Sequence, residues 1–556
     1  MAIYTSPYPP VTPEQQHKGG VFDFLFNSPS FASRADRVAL VDAPTGKKTT
    51  YDELRRSSLR LADGLTRVGR LKRGDAILLF STNSTLYPTL LFGGQAAGLV
   101  VSTANAAYTP HELSHQLSIS GAKLVFAAAE LLETTKKAAQ EVGLPLERVF
   151  VLPDAKGVLP EKLPSGMRSW KELDGREDFE PVVPTEKEAQ TQVAYLPFSS
   201  GTTGKGKGVA LSAYNTTSCI LQTASTEGLF DRADTVLSVL PLAHIFGLVV
   251  MLHLTLHNGG TLVLLPKFDL VQALEAIQTY SCTSALIVPP IALGLAKHPI
   301  VDEYDLSSLR FILSGAAPLS ADLQQAVFKR LGGRTPVVQG LGMSETTSVG
   351  MIPDIVTPGG LKPGSVGKVL STMEARLVDP EGQDVKAGEP GELWMGGANV
   401  MLGYYGNEKA TKETLTKDGW LMTGDICERD SEGNFFVVDR KKELIKYRGF
   451  QVAPAEVEGV LLSAPFIADA AVIGIYSEEQ ATELPRAYIV PDPQHADSPT
   501  LVQDAIKWVE EKVAPHKRLR GGVVVLKEIP KSPSGKILRK DLRVLAAKEA
   551  KTKAKL

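Results

Sequence analysis

Apolar residues in this chain fall into two patterns that alternate along its length. In one, they form short continuous runs; in the other, they recur every three or four positions. Residues 38–41 form a run of the first kind. Thr50 and Glu53 follow at the spacing of a capping box, in which each side chain serves the other's backbone N–H, and this predicts a helix start. Leu54, Leu59, Leu61 and Leu65 give that helix an apolar stripe. Residues 76–80 read as a buried strand, 88–97 as a helix, 124–127 as a strand and 130–141 as a helix. Strands alternating with helices argue for a largely parallel sheet with helices packed on it.

The pattern then breaks. Residues 152–190 are rich in proline, glycine and charge and read as a surface excursion between subdomains. A second strand–helix series runs from 193 to about 352, and short strands between glycine turns over 362–403 suggest a small β-rich unit. A polar junction at 429–434 precedes a strand at 435–438, and the remainder reads as compact α+β. The expected fold is therefore α/β. A large N-terminal domain (1–438) of βα subdomains would carry a small β-rich subdomain, followed by a small mobile α+β domain (439–556). The most apolar stretch, 236–266, is interrupted by His244, His253, His257, Asn258 and glycines. A membrane span needs about 20 predominantly apolar residues, so this stretch reads as buried core.

Composition narrows the function classes. The 556 residues hold 60 Lys+Arg against 62 Asp+Glu, for a net charge of −2, which gives no global field for nucleic acid or anionic membrane. Three cysteines, Cys219, Cys282 and Cys427, are too sparse for a disulfide framework or a thiolate metal site, and they suit a reducing compartment. The first residues lack the basic and apolar regions of a secretory signal. The sequence ends Ala554-Lys555-Leu556, a variant of the Ser-Lys-Leu peroxisomal address, behind Lys551 and Lys553. We therefore expect recognition by the peroxisomal import receptor, with the cytoplasm as the other location.

The strongest local signal is Ser199-Ser200-Gly201-Thr202-Thr203-Gly204-Lys205-Gly206-Lys207-Gly208, directly after a strand. Glycines let successive backbone N–H groups turn toward one anion, hydroxyls add donors, and lysine adds charge. Read as G-x-x-x-x-G-K-[ST], the stretch fails at Gly208, which lacks the hydroxyl that would bind magnesium. It is thus a phosphate loop of another kind. A rival from a different class is His111-Glu112-Leu113-Ser114-His115, a literal H-E-x-x-H of zinc hydrolases. Pro110 puts it in the first turn of a helix, no third ligand is evident, and Glu112 there complements the helix N-terminus.

Five further motifs accompany the loop. They are Pro241-Leu-Ala-His244-Ile-Phe-Gly, Gln339-Gly-Leu-Gly-Met-Ser-Glu345, Gly419-Trp-Leu-Met-Thr-Gly-Asp425, Asp439-Arg-Lys-Lys-Glu-Leu-Ile-Lys-Tyr-Arg-Gly-Phe-Gln451 and Pro533-Ser-Gly-Lys536. In this order, over about residues 22–543, the chain resembles the acyl-adenylate-forming superfamily, in its 4-coumarate–CoA ligase-like branch. The resemblance implies an acid–CoA ligase. A carboxylate would attack the α-phosphate of MgATP to give acyl-AMP and pyrophosphate, and a thiol would then displace AMP. Such phosphoryl transfer depends mostly on positioning and charge stabilisation.

The same resemblance implies roles for individual residues. Ser199, Ser200, Gly201, Thr202, Thr203, Gly204 and Lys207 would hold the β- and γ-phosphates. Glu345 would ligate Mg2+, with Ser344 near the α-phosphate. Asp425 and Arg440 would hold the ribose. Ala317, Gln339, Gly340, Leu341, Lys446 and Gln451 would complete the nucleotide site. Lys536 would be the mobile catalytic lysine and His244 the gate at the carboxylate end of the acyl pocket. Ile245, Phe246, Val249, Val250, Ala316, Gly340, Gly342 and Val349 would line that pocket. Lys442 would be the hinge about which the C-terminal domain turns, and Lys267, Arg448 and Gly449 would contact CoA.

Four positions depart from the family pattern: Leu341 replaces the tyrosine that stacks on adenine, Ala213 a histidine, Gly396 an arginine, and Phe246 the tyrosine common near a substrate phenol. Phe246 neither donates nor accepts a hydrogen bond, which argues against a 4-hydroxylated substrate. An apolar pocket suits a medium-chain fatty acid or an unsubstituted aryl acid equally well, and the expected substrate is a medium-chain fatty or aryl/phenylpropanoid acid. A luciferase-type oxygenase and an adenylating enzyme that loads a carrier protein are the rivals within the superfamily. The matched CoA positions favour the ligase.

Overall fold

The computed structural model describes residues 2–12, 14–199, 206–230, 232–356, 360–447, 450–477, 480, 482–532 and 535–553. Two largely parallel sheets carry the N-terminal domain. The first orders its strands as Phe198–Ser199, Lys207–Ser212, Val193–Tyr195, Val100–Ala104, Ala76–Phe80, Leu124–Ala128, Val149–Leu152 and Arg168–Ser169, and Gly403–Tyr404 pairs onto Lys207–Ser212. The second runs Val337–Gln339, Phe311–Ser314, Ser284–Ile287, Thr235–Ser238, Thr261–Leu264, Val38–Asp42 and Lys48–Thr50.

Ala76–Phe80 and Leu124–Ala128 are buried at every position, which is why they read as unbroken apolar runs. The helix Tyr51–Arg67 begins with the capping box at Thr50 and Glu53 and buries Leu54, Leu59, Leu61 and Leu65. Each such side chain fully removed from water contributes about 1.5–3 kcal/mol, against the chain entropy lost on folding.

The β-rich unit is a five-stranded antiparallel sheet: Tyr4–Thr5, Glu374–Val378, Gly391–Gly396, Leu421–Arg429 and Phe435–Arg440. Leu421–Arg429 alternates between buried and half-buried positions along most of its length, as a sheet with one covered face requires. Tyr4 enters this sheet opposite Ala375, a pairing that sequence periodicity does not foretell. Gly396 faces the Trp420 ring, whose nearest carbon lies 3.3 Å from where a Cβ would stand. Trp420 thus packs against the open side of Gly396.

The C-terminal domain has its own core, built from Ile445, Val457, Leu461, Val472, Ile489, Ala505 and Val509. It packs a three-stranded sheet (Ile467–Ser477, Thr482–Pro491, Val523–Val525) with the helices Pro454–Leu462, Leu501–Glu510 and Arg539–Lys553.

The apolar stretch after residue 236 holds a π-helix, Phe246–Leu254. Inside it His253 donates from Nδ1 to the Leu248 carbonyl at 2.6 Å and accepts from the Tyr195 hydroxyl at Nε2, 2.8 Å away. His253 is thus a fully buried, satisfied core residue. No helix among the described residues is long and apolar enough to cross a membrane.

Candidate active site

A cavity of about 660 Å³ opens beyond the C-terminal ends of Val100–Ala104, Phe311–Ser314 and Val337–Gln339. Open α/β sheets place their ligands at these strand ends. The wall is mixed: Ile245, Phe246, Leu313, Leu341, Val349, Met351 and Ile352 are apolar, while Ser199, His244, Ser344, Glu345, Arg440 and Lys536 bring polar and charged groups. Gly340, Gly342 and Ala316 complete it where the sequence predicts. Gly342 has no alternative, because a Cβ there would lie 1.5 Å from the Ser348 carbonyl oxygen.

His244 sits on a loop held at several points. Asn83 donates to the Leu240 carbonyl at 2.9 Å and accepts from Leu242 N–H at 2.8 Å, and the Thr103 hydroxyl donates to the Ala243 carbonyl at 2.7 Å. The Phe246 N–H donates to His244 Nδ1 at 3.3 Å. A neutral imidazole with Nδ1 accepting carries its proton on Nε2. Burial, and then the nearby charge of Lys536, push the His244 pKa down to about 4. His244 is therefore a neutral donor at physiological pH.

Lys536 comes from the C-terminal domain. Its loop closes through Ser532 N–H to the Lys536 carbonyl (2.8 Å) and Lys536 N–H to Ser532 Oγ (3.1 Å). Gly535 has φ +77°, and a Cβ there would lie 3.0 Å from a Val288 methyl, so this loop approaches the larger domain closely. Burial, then Arg440, lower the Lys536 pKa to about 8, while Asp425, Glu443 and Glu345 pull the other way.

Asp425 and Arg440 face each other across adjacent strands, with Arg440 Nε 3.0 Å from Asp425 Oδ1. Burial raises the Asp425 pKa against the opposing pull of Arg440 and Lys536. Glu345, 6% exposed, has Oε1 bonded by the Tyr404 hydroxyl at 2.7 Å. Among the described residues no three or more His, Cys, Asp or Glu converge on a metal position. A single carboxylate on the cavity wall fits the donor set of Mg2+, which takes one or two protein carboxylates and fills the rest of its shell with other oxygens.

Several expected residues stand elsewhere. Val249 and Val250 do not line the cavity; they are 1% and 2% exposed in the core, because only the start of the π-helix reaches the wall. Gln339 spends its amide on Leu319, accepting from its N–H at 2.9 Å and donating to its carbonyl at 3.1 Å. It therefore braces the turn that contains Ala316 and Ala317. Lys207 lies against the Tyr404 ring, 4.0 Å from the centroid. Lys267, Lys442 and Lys446 are exposed outside the cavity, and Lys446 pairs with Gln451 in a backbone hairpin. Ser200, Gly201, Thr202, Thr203, Gly204, Arg448, Gly449 and residues 554–556 lie outside the described residues.

The H-E-x-x-H residues point apart. His111 pairs with Glu141, His115 Nε2 is 2.9 Å from the Gly206 carbonyl, and Glu112 accepts from the Thr109 N–H as a helix cap.

Sequence reasoning passed over two residues of consequence. Tyr404 is one. Asn399 is the other: it is fully buried and donates to the carbonyls of Thr346 (3.0 Å) and Val349 (2.8 Å), which fixes the turn after Glu345.

A nucleotide-sized cavity at strand ends, closed by a lysine from a second domain, is the architecture of an adenylating enzyme. Residues 29–405 match the family described as AMP-binding enzyme, and 456–536 match the AMP-binding enzyme C-terminal domain; the chain belongs to this family. It is 39% identical over 522 residues to a probable 4-coumarate–CoA ligase of Dictyostelium discoideum, covering 92% of this chain and 93% of that one. It is 37% identical over 523 residues to a peroxisomal OPC-8:0-CoA ligase of Arabidopsis thaliana, covering 93% and 92%. Among solved structures, an anthranilate CoA ligase in complex with anthranoyl-AMP superposes with TM-score 0.84 at 25% identity, covering 95% of this chain and 98% of that one. ATP-bound MatB from Rhodopseudomonas palustris superposes with TM-score 0.82 at 27% identity over the same shares, and its apo form with 0.72.

Proposed function

We propose that the chain is an ATP-dependent, AMP-forming acid–CoA ligase. The carrying observation is the entry of Lys536 into the cavity that His244, Glu345 and Arg440 line. In the first step a substrate carboxylate oxygen bonds to the α-phosphorus of ATP and the bond to pyrophosphate breaks. Lys536 steadies the carboxylate and the α-phosphate oxygens as negative charge moves toward the leaving pyrophosphate. His244, neutral with its proton on Nε2, donates to the carboxylate end of the acid. Asp425 accepts from the ribose hydroxyls, and Arg440 holds it in place and opposes the effect of its burial. The loop from Ser199 through Lys207 cradles the outer phosphates, and Glu345 would hold Mg2+, which neutralises phosphate charge.

In the second step the CoA sulfur attacks the acyl carbonyl, the carbonyl–oxygen bond to AMP breaks, and the thioester forms. Lys536 occupies the ground CoA needs, so the C-terminal domain (439–556) turns about Lys442. That turn brings the paired strands holding Lys446 and Gln451, and with them the expected CoA residues Arg448 and Gly449, toward Lys267. The separate core of this domain supports a movable unit. The better match to ATP-bound than to apo MatB supports reading this structure as the adenylation state.

The apolar part of the wall, with Ile245, Phe246, Leu313, Val349 and Met351, supports a medium-chain fatty acid or an aryl or phenylpropanoid acid as substrate. The names of the two relatives, one for a coumarate and one for OPC-8:0, support the same range. A panel of fatty and aryl acids with ATP, Mg2+ and CoA tests the reading by following AMP and thioester together. AMP release without CoA consumption would overturn it. Ala554-Lys555-Leu556 and the peroxisomal relative support peroxisomal residence. A fluorescent fusion that keeps its punctate location after loss of that tripeptide would refute this route.

A further inference from the structure

Tyr404 touches two groups that the proposed reaction uses. Its hydroxyl donates to Glu345 Oε1 at 2.7 Å, and its ring lies under the Lys207 ammonium, 4.0 Å from nitrogen to centroid. The residue is 7% exposed, and its place is set by backbone on several sides. Tyr404 pairs with Val209 on the strand that leaves the phosphate loop, and its own N–H donates to the Thr411 hydroxyl at 2.9 Å. The neighbouring Met401 N–H donates to the Glu345 carbonyl at 2.9 Å. The carboxylate and the phenol that grips it are therefore tied at both side chain and main chain.

A glutamate side chain turns about three bonds, and a cation bound to a wandering carboxylate loses affinity through the ordering it imposes. One hydrogen bond to Oε1 selects a rotamer and leaves Oε2 for a cation. The ring face, negative in its quadrupole, attracts the Lys207 ammonium by about 0.5–2 kcal/mol. One side chain thus holds an anion by its hydroxyl and a cation by its face. It fixes the spacing between them.

We propose that Tyr404 is a positioning residue that sets the magnesium carboxylate and the phosphate-loop cation at the spacing of one triphosphate. The inference rests on the acid–CoA ligase reading, in which Glu345 meets Mg2+ and Lys207 meets the outer phosphates. It makes Tyr404 the link between metal binding and phosphate binding.

Tyr404→Phe removes the hydroxyl and keeps the ring, and Tyr404→Leu removes both. Mn2+, which has unpaired electrons, is titrated by electron paramagnetic resonance into the full-length protein with a non-hydrolysable ATP analogue. Loss of an outer hydrogen bond to a metal ligand typically costs 10–100-fold in metal affinity. Tyr404→Phe is therefore expected to weaken Mn2+ binding roughly tenfold or more. Its KM for ATP at saturating metal and its KM for the acid should stay within about twofold of the native protein, since the ring that holds Lys207 remains. Tyr404→Leu should raise the KM for ATP as well. Mn2+ affinity of Tyr404→Phe within twofold of the native protein would overturn the proposal, as would an equal rise in all three quantities. A native protein that forms no acyl-AMP with any acid would instead overturn the ligase reading, and the Mn2+ titration would still report on Tyr404.

Discussion

Replacing Lys536 by alanine separates the two half-reactions, and the size and pH dependence of the effect follow from its surroundings. The ammonium is half-buried beside Arg440, and these two influences lower its pKa to about 8. With that value about a tenth of the free enzyme carries a neutral lysine at pH 7 and about half at pH 8. In the proposed role, the charged form is the one that stabilises negative charge on the α-phosphate. kcat/KM for ATP in adenylation should therefore fall with rising pH through about 8. In kcat the same limb should move to higher pH, because bound triphosphate favours the ammonium. Losing a comparable preorganised donor costs on the order of 10²–10³ in rate, or about 2.7–4 kcal/mol. Lys536→Ala should lose that much in pyrophosphate exchange and also lose the alkaline limb, while thioester formation from presynthesised acyl-AMP continues. Lys536→Arg should keep its charge throughout and flatten the limb even if geometry slows it. Equal loss in both half-reactions, or an unchanged alkaline limb in Lys536→Arg, would refute the reasoning.

Three further outcomes test other parts of the site. The His244 pKa near 4 leaves the imidazole neutral from about pH 6 to 9; pH–rate profiles of the native enzyme should show no histidine limb there, and His244→Ala should lose about 10² in adenylation with a raised KM for the acid. Lys442→Pro restricts the turn between Arg440 and Leu444 and should spare acyl-AMP formation while abolishing transfer to CoA, read by single-turnover assays of each half. Asn399→Ala leaves the Thr346 and Val349 carbonyls without their buried donor, at about 1–3 kcal/mol for each, and should lower the urea midpoint accordingly.

The legible part of this protein was local. Burial on both faces writes itself as continuous apolar runs, so Ala76–Phe80 could be read to the residue. The capping box at Thr50 announced its helix within four positions. Features that depend on partners far along the chain left no such mark. Tyr404 and Asn399 are ordinary polar residues until the fold sets them against Glu345 and the turn that follows it, more than 50 positions earlier. Val249 and Val250, expected on the wall by resemblance, lie in the core because only the start of the π-helix reaches the cavity. Gln339 kept its position in the motif, but its amide went to the backbone of Leu319.

The antiparallel sheet that ends in Arg440 begins with Tyr4–Thr5, and this sets an order of assembly. Ala2 N–H donates to Asp384 at a separation of 382 residues. At roughly 5–20 residues per second, residues 2–5 wait on the order of 20–80 s for the strand that receives them to be made. Asp425 and Arg440 are made later still. Under the proposed roles, a chain made only as far as Ile352 holds the apolar wall but not the pair that would grip a ribose. ATP then has no purchase on that intermediate, and competence for adenylation waits at least for Lys536.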